Sequence, residues 1–222
     1  AVNEKLASVS VTKSVDGPGP WSFQFTISPD PDGVGGQSAM LSATNLVPVV
    51  SWTGLDPGTQ YTVTEAGVAG FISGSVVCTG VAGNVFTPVA GEVVSCGVEN
   101  RVVGSIELTK SVSGAVPGDV WSFEFTLTPG GVVRTVSNAS PVVSWTGLDP
   151  DVDYTVTESV STDPSYVTGS IVCGLVSGVA VAGVTVDVVP GATVSCTAVN
   201  EKLASVSVTK SVDGPGPWSF QF

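Results

Sequence analysis

The sequence predicts an all-β fold of tandem antiparallel sandwiches, and three observations support this prediction. Valine, threonine, serine and glycine dominate the 222 residues, and no stretch shows the apolar spacing of a helix. Short segments alternate between apolar and polar residues with a period of two, which is typical of strands with one buried face. Clusters of glycine, proline and aspartate separate these segments and predict turns.

The alternating segments can be followed along the chain. Residues 9–13 place apolar side chains on one face and hydroxyl groups on the other, and residues 21–25 place three aromatic rings on one face. Residues 61–65 and 94–100 show the same alternation. We therefore expect half-buried strands joined by short turns. The turns are predicted at residues 16–20, 29–33 and 55–58.

Residues 1–25 recur without a mismatch as residues 198–222, so the offset is 198 − 1 = 197 residues. A match of this length is not a chance event. We interpret the chain as one period of a longer tandem array, followed by the start of the next copy. The alternative is strand donation, in which residues 203–222 complete a sandwich of a neighbouring chain. Arrays of this kind mostly serve as rods, spacers or fibres.

A weaker repeat lies inside this period. The segment Tyr-Thr-Val-Thr-Glu occurs at residues 61–65 and again at residues 154–158, and each half closes on a Val-Ser-Cys-x-x-x-Asn segment. The period is therefore interpreted as two related modules of about 100 residues, a usual domain size. The predicted division is the end of a preceding module at residues 1–3, module A at 4–100, module B at 101–200, and the first strands of the next module A at 201–222.

The composition excludes several classes of function. A net charge of −12 argues against nucleic acid and anionic membrane surfaces as partners. No apolar run is long enough for a membrane span. Histidine is absent, so Ser–His and Cys–His catalysis are excluded, and no glycine loop follows a strand to hold a phosphate. We expect no enzyme with turnover and no cofactor.

The four cysteines fall two to a module, in the same relative places. Cys78 pairs by position with Cys96, and Cys173 with Cys196. One pair per module favours intramodule disulfides and an oxidising compartment, with buried free thiols as the alternative. Close Cys-x-x-Cys spacings are absent, so no metal site is expected at these residues.

Polar residues continue the apolar faces of several predicted strands. Lys13 follows Val9 and Val11 in parity, and Glu65 follows Tyr61 and Val63. Since a lone buried lysine or carboxylate is costly, the polar residues of each module should meet one another. The full predicted set is Lys13, Glu65 and Asn100 in the first module and Lys110, Glu158 and Asn200 in the second.

A lysine, an asparagine and a carboxylate in an apolar pocket can react. Desolvation favours a neutral amine and a protonated acid. The amine can then attack the asparagine amide carbon, while the acid polarises the carbonyl and passes protons to the leaving ammonia. The product is a Lys–Asn isopeptide formed in a single turnover. A hydrogen-bonded, unreacted triad is the alternative.

These motifs carry a family resemblance. Val-Thr-Lys at residues 11–13, Tyr-Thr-Val-Thr-Glu at 61–65 and a closing strand ending in Asn100 resemble the B-type repeats of Gram-positive collagen adhesins and pilin subunits. The resemblance implies an immunoglobulin-like, prealbumin-like sandwich, in many members with an internal isopeptide. It implies a Lys13–Asn100 bond assisted by Glu65, and a Lys110–Asn200 bond assisted by Glu158. The cysteine pair is unusual in pilins and could stabilise each module in place of an isopeptide.

Two loop features leave alternatives open. Asp149, Asp151 and Asp153 alternate in one loop, and Asp30 and Asp32 lie beside Gly33, so calcium binding is a minor alternative to solvated turn aspartates. The modules differ most between residues 29–47 and 129–141, where an adhesin would place a ligand site.

The sequence thus predicts a structural subunit of an extracellular or cell-surface fibre or stalk, such as an adhesin stalk, pilus-like appendage or biofilm matrix. Its expected partners are further copies of the same repeat, arranged head to tail. The alternative is an adhesin repeat that binds a host, matrix or polysaccharide ligand through its loops.

Overall fold

The computed structural model describes residues 4–31, 39–161, 163–174, 176–180 and 182–221. The described part contains eighteen strands and no helix. The first nine are β1 Ala7–Asp16, β2 Ser22–Ser28, β3 Ala39–Thr44, β4 Val49–Leu55, β5 Tyr61–Glu65, β6 Phe71–Ile72, β7 Val77–Cys78, β8 Val85–Phe86 and β9 Val93–Val102. The second nine are β10 Gly104–Ser113, β11 Ser122–Thr128, β12 Val132–Ser137, β13 Val142–Leu148, β14 Asp153–Glu158, β15 Tyr166–Cys173, β16 Val176–Val179, β17 Val184–Asp187 and β18 Thr193–Lys202.

Two pairs of sheets form two sandwiches, each with its own apolar core. In the first sandwich, the sheet β4-β1-β9-β6, with β7 also on β9, faces the sheet β3-β2-β5-β8. In the second, the sheet β13-β10-β18-β15-β16 faces the sheet β12-β11-β14-β17. The predicted all-β sandwich fold is confirmed.

One strand pair in each sandwich departs from the antiparallel expectation. β1 runs parallel to β9, and β10 runs parallel to β18, whereas the other pairs are antiparallel. Parallel neighbours need a long crossover connection, and here almost the whole sandwich lies between its first and last strands. The strand that enters each sandwich and the strand that leaves it are therefore neighbours.

The period-two pattern of the sequence sets which side chains reach the core. Val9 and Val11 on β1, and Phe23 and Phe25 on β2, are buried, while the residue between the valines is half-buried and the residue between the rings is exposed. Trp52 fills the first core from β4. Burial of such large side chains supplies most of the stabilising free energy of a sandwich.

A short joint connects the sandwiches, since Val103 alone separates β9 from β10. The main-chain N–H of Gly191 donates to the carbonyl of Val103 at 3.2 Å. Arg101 leaves the first sandwich and binds two carboxylates of the second, with Nη1 2.8 Å from Asp151 and Nη2 3.2 Å from Asp149. The joint is therefore tied by ionic as well as main-chain contacts.

The predicted module boundaries are not tested by these strands and stay a prediction. β9 runs to Val102 and β18 to Lys202, two residues past the predicted ends of modules A and B. Residues 203–221, which are the last described residues of the chain, form no strand and are exposed. The predicted end of a preceding module, residues 1–3, lies outside the described residues.

Candidate crosslinking sites

The fold brings three polar side chains of the first sandwich together between its two sheets. Lys13 lies on β1 and Asn100 on the neighbouring β9, where Lys13 is level with Val98 and Asn100 is level with Val15. Both side chains therefore project from the same face of one sheet. Glu65 ends β5 in the opposite sheet, level with Phe25.

The first site is almost completely shielded from water. Lys13 is 2% exposed and Asn100 0%, and the side chain of Glu65 is 5% exposed. The Lys13 Nζ lies 3.5 Å from Glu65 Oε1 and donates to the carbonyl of Ser14 at 2.8 Å. The Asn100 Nδ2 donates to Glu65 Oε2 at 3.0 Å. The Glu65 carboxyl thus stands between the amine and the amide.

The second sandwich repeats this site on the equivalent strands. Lys110 on β10, Glu158 on β14 and Asn200 on β18 are all buried. The Lys110 Nζ lies 3.4 Å from Glu158 Oε1 and 3.5 Å from its Oε2. The Asn200 Nδ2 donates to Glu158 Oε1 at 2.6 Å. The same arrangement of amine, carboxyl and amide therefore occurs in both sandwiches.

An aromatic ring covers each lysine. The Lys13 Nζ lies 4.5 Å from the centroid of the Phe23 ring, and the Lys110 Nζ lies 4.6 Å from that of Phe123. Each ring therefore covers one side of the amine and keeps water from it, while the glutamate contacts the amine within 3.5 Å.

Burial changes the protonation of these groups. Desolvation lowers the pKa of Lys110 to about 8, although the nearby Glu158 carboxylate opposes the change. Desolvation also lowers the pKa of Lys13. Burial raises the pKa of Glu158, against the opposing effect of Lys110. All three changes favour the neutral amine and the protonated acid, which are the forms that nucleophilic attack and proton donation require.

The structure differs from the sequence-based expectation in how the acid contacts the amide. In each site the amide nitrogen, which the predicted reaction would release, donates to the glutamate, whereas no hydrogen bond joins that glutamate to the carbonyl oxygen it was expected to polarise. The carbonyl oxygen of Asn100 instead accepts from the main-chain N–H of Gly74 at 2.9 Å, and that of Asn200 from Gly169 at 3.0 Å. Sequence reasoning missed both glycines.

A signal for these glycines is present in the sequence. Each opens a Gly-Ser-x-Val-Cys segment, at residues 74–78 and 169–173, four residues before the first cysteine of its module. A surface cavity of about 410 Å³ opens beside the first site and is lined by Glu65 and Gly74.

Two disulfides are present, Cys78–Cys96 and Cys173–Cys196. Each joins residues that are directly opposite on neighbouring antiparallel strands. Each also ties the last strand of its sandwich, which carries the site asparagine. Bridges that close loops of 18 and 23 residues stabilise a fold by about 3 kcal/mol each in the chain-entropy treatment.

Two of the aspartates considered for calcium have another partner. Asp149 and Asp151 bind the guanidinium of Arg101, which supplies the positive charge that a cation would have supplied. Among the described residues, no group of three or more acidic, cysteine or histidine side chains could hold a metal ion. Asp32 and Gly33 lie outside the described residues. The described segments also contain no helix with the length and apolar character needed to cross a bilayer.

Comparisons with known proteins were made at the level of sequence and of structure. A family model described as "Domain of unknown function (DUF5979)" matches residues 9–103. No curated protein matches the chain.

Several solved structures are similar to the chain at low sequence identity. The TIE protein of Bacillus anthracis is 18% identical with a TM-score of 0.36, and the match covers 89% of this chain but only 35% of that protein. The major pilin protein (T-13) of Streptococcus pyogenes is 15% identical, with a TM-score of 0.39 and coverage of 91% and 98%. The minor pilin GBS52 of Streptococcus agalactiae is 14% identical, with a TM-score of 0.32 and coverage of 92% and 99%. Gram-positive pilins are thus among the structures that this chain resembles.

Proposed function

We propose that this chain is a structural segment of an extracellular or cell-surface fibre or stalk, in which each β-sandwich is sealed by a Lys–Asn isopeptide and a disulfide. The observation that carries the proposal is the buried Lys–Glu–Asn site, built twice on the first and last strands of a sandwich. A charged lysine in an apolar core is costly unless a paired charge and hydrogen bonds offset its desolvation. Both sites place the lysine beside a carboxyl that can transfer protons, and that carboxyl contacts the asparagine amide with which the lysine can condense.

The reaction balances with the groups present. The neutral lysine amine attacks the amide carbon of Asn100 or Asn200, and the carbon–oxygen double bond opens to a tetrahedral intermediate. The carboxyl of Glu65 or Glu158 gives its proton to the amide nitrogen and takes one from the attacking amine, so the glutamate ends as it began, and the carbon–nitrogen bond breaks. One ammonia leaves and one lysine–asparagine amide remains. The fold holds the amine and the amide close together, and the reaction occurs once because it consumes both groups.

The position of the bond suits a mechanical role. Lys13 lies on the strand that enters the sandwich and Asn100 on the strand that leaves it. A bond between them would pass tension from β1 directly to β9, so the rest of the sandwich would carry none of it. Lys110 and Asn200 stand in the same relation on β10 and β18.

The repeated sequence supports a tandem arrangement. Residues 4–7 and 201–204 are identical, and the structure shows this segment in two settings. On leaving the second sandwich, the N–H of Leu203 donates to Ser165 at 2.7 Å. On entering the first, the carbonyl of Lys5 accepts from Gly91 at 2.8 Å. Both settings can hold at once, so we propose that residues 203–222 form the first strands of a following copy, head to tail.

Intact mass tests the isopeptides. The parent chain should lose two molecules of ammonia, in addition to the hydrogens lost in its two disulfides. Lys13→Ala and Lys110→Ala should each retain one ammonia, because each removes one nucleophile. Lys210→Ala is the matched control, since Lys210 has the sequence surroundings of Lys13 but is exposed, and it should lose both. A parent mass with no ammonia deficit would end the proposal.

Replacing Arg101 with alanine should loosen the joint without unfolding either sandwich. Its side chain is 28% exposed, so the loss of stability should stay below about 1 kcal/mol. Small-angle X-ray scattering should show a wider range of separations between the two sandwiches. Arg134→Ala, at an exposed position on β12, should scatter like the parent, and an unchanged profile for Arg101→Ala would mean that the ion pairs do not hold the joint.

The adhesin alternative rests on residues 29–47, of which 32–38 lie outside the described residues. β2 and β3 are joined by residues 29–38, whereas residues 129–131 join the equivalent β11 and β12. Surface-immobilised matrix proteins and polysaccharides provide the test. A stalk segment should bind none of them, while an adhesin should lose binding when residues 29–38 are replaced by residues 129–131.

A further inference from the structure

A main-chain N–H in each sandwich is aimed at the carbonyl oxygen of the site asparagine. Gly74 donates to Asn100 Oδ1 at 2.9 Å and Gly169 donates to Asn200 Oδ1 at 3.0 Å. Both asparagines are 0% exposed, so water does not compete for these oxygens. The two sandwiches differ in sequence and yet share this contact, so the contact belongs to the common architecture of the site and not to one particular loop.

Space explains why both positions are glycine. A Cβ built on Gly74 would overlap the main-chain carbonyl oxygen of Glu99, and a Cβ on Gly169 would overlap that of Val199. These carbonyls belong to the residue just before each asparagine. A side chain would therefore push the N–H away from the amide, and only glycine allows this close approach.

We propose that the N–H groups of Gly74 and Gly169 are oxyanion donors for isopeptide formation. This inference rests on the proposed crosslinking function and adds catalytic groups to it. When the lysine amine adds to the amide carbon, the electron pair of the carbonyl bond moves onto Oδ1, and the N–H stabilises the negative charge there. When the carbon–nitrogen bond breaks, that pair returns to form the carbonyl of the new amide.

The glutamate and the glycine N–H of each site contact different atoms of the asparagine amide and would act on different parts of the reaction. In each site the glutamate contacts the nitrogen that leaves, so its proton is placed for the departure of ammonia. The glycine contacts the oxygen that gains charge. A fixed donor to an oxygen that is shielded from water is among the most effective ways to stabilise such an intermediate, and removing one donor commonly costs about 100- to 1,000-fold in rate.

The test replaces the N–H alone. Glycolic acid, incorporated at position 74 by nonsense suppression during cell-free synthesis of the whole chain, changes that N–H to an ester oxygen and adds no side chain. Ammonia loss is followed over time by mass spectrometry under oxidising conditions, and the crosslinked peptides are assigned after digestion. The first site should react about 100-fold or more slowly. The second site, with Gly169 unchanged, should react at the parent rate in the same molecules.

Matched variants separate the possible outcomes. Glycolic acid at Gly80, where a Cβ would meet open space, should leave both rates unchanged. Glycolic acid at Gly169 should slow the second site alone, and formation of the Cys78–Cys96 or Cys173–Cys196 disulfide shows that the altered sandwich has folded. Parent rates at both altered sites would overturn this inference and leave the crosslinking function intact. Absence of ammonia loss from the parent chain would overturn the crosslinking function itself, and this inference with it.

Discussion

Pulled from its two ends in a force microscope, the parent first sandwich should release almost no length, whereas Lys13→Ala should release roughly 250 Å. This is the ~260–290 Å length of its stretched residues, at ~3.3–3.6 Å per residue, less the ~30 Å that the folded sandwich already spans. In the parent, force passes from β1 through the Lys13–Asn100 bond into β9. In the variant, residues 7–78 and 96–102 must stretch, which is about 80 residues. The Cys78–Cys96 disulfide keeps residues 79–95 out of the force path.

Reductant provides an independent readout of the same path. It should add roughly 60 Å to the release from Lys13→Ala, because residues 79–95 then stretch as well. It should add nothing to the parent, whose disulfide lies inside the segment that the isopeptide bypasses. Lys210→Ala should behave like the parent. If the parent released as much length as Lys13→Ala, force would not travel through a covalent bond at Lys13.

The sequence was sufficient to predict which side chains share the core. A strand alternates its faces whatever its neighbours are, so the parity of Lys13 with Val9 and Val11 placed its side chain inwards. The structure does bring Lys13 close to Glu65, and Glu65 to Asn100, at the distances of an ion pair and a hydrogen bond. Lys110, Glu158 and Asn200 repeat these strand positions in the second module. The repetition strengthened the prediction, because three polar residues are not expected on the apolar faces of both modules by chance.

Other features depend on long-range geometry that a local pattern does not encode. The parallel pairing of β1 with β9 follows from the path of the whole sandwich. The donor to Asn100 is a main-chain group of Gly74, and main-chain groups are the same in every residue. The partner of Asp149 and Asp151 is Arg101 in the other sandwich, so the loop sequence alone left calcium open as an alternative.

Replacing Glu158 with glutamine should slow crosslinking at the second site by about 100- to 10,000-fold, the range that a positioned acid or base supplies. Glutamine keeps the size of the side chain but cannot give a proton to the leaving nitrogen of Asn200, which Glu158 contacts at 2.6 Å. Mass spectrometry of digested samples over time measures the rate at each site. The first site should keep its parent rate, and Glu107→Gln, at an exposed position on the same strand as Lys110, should change neither.

The pH dependence of the parent rate follows from the two pKa changes. The amine must be neutral, and burial lowers the pKa of Lys110 to about 8, so its reactive fraction rises with pH until about 8. The acid must be protonated, and burial raises the pKa of Glu158, so its reactive fraction falls as pH rises through that raised value. The product of the two fractions is bell-shaped, with its maximum between the pKa of Glu158 and about 8. A rate that increased steadily to pH 10.5, the ordinary pKa of lysine, would show that Lys110 reacts from solvent and not from the core.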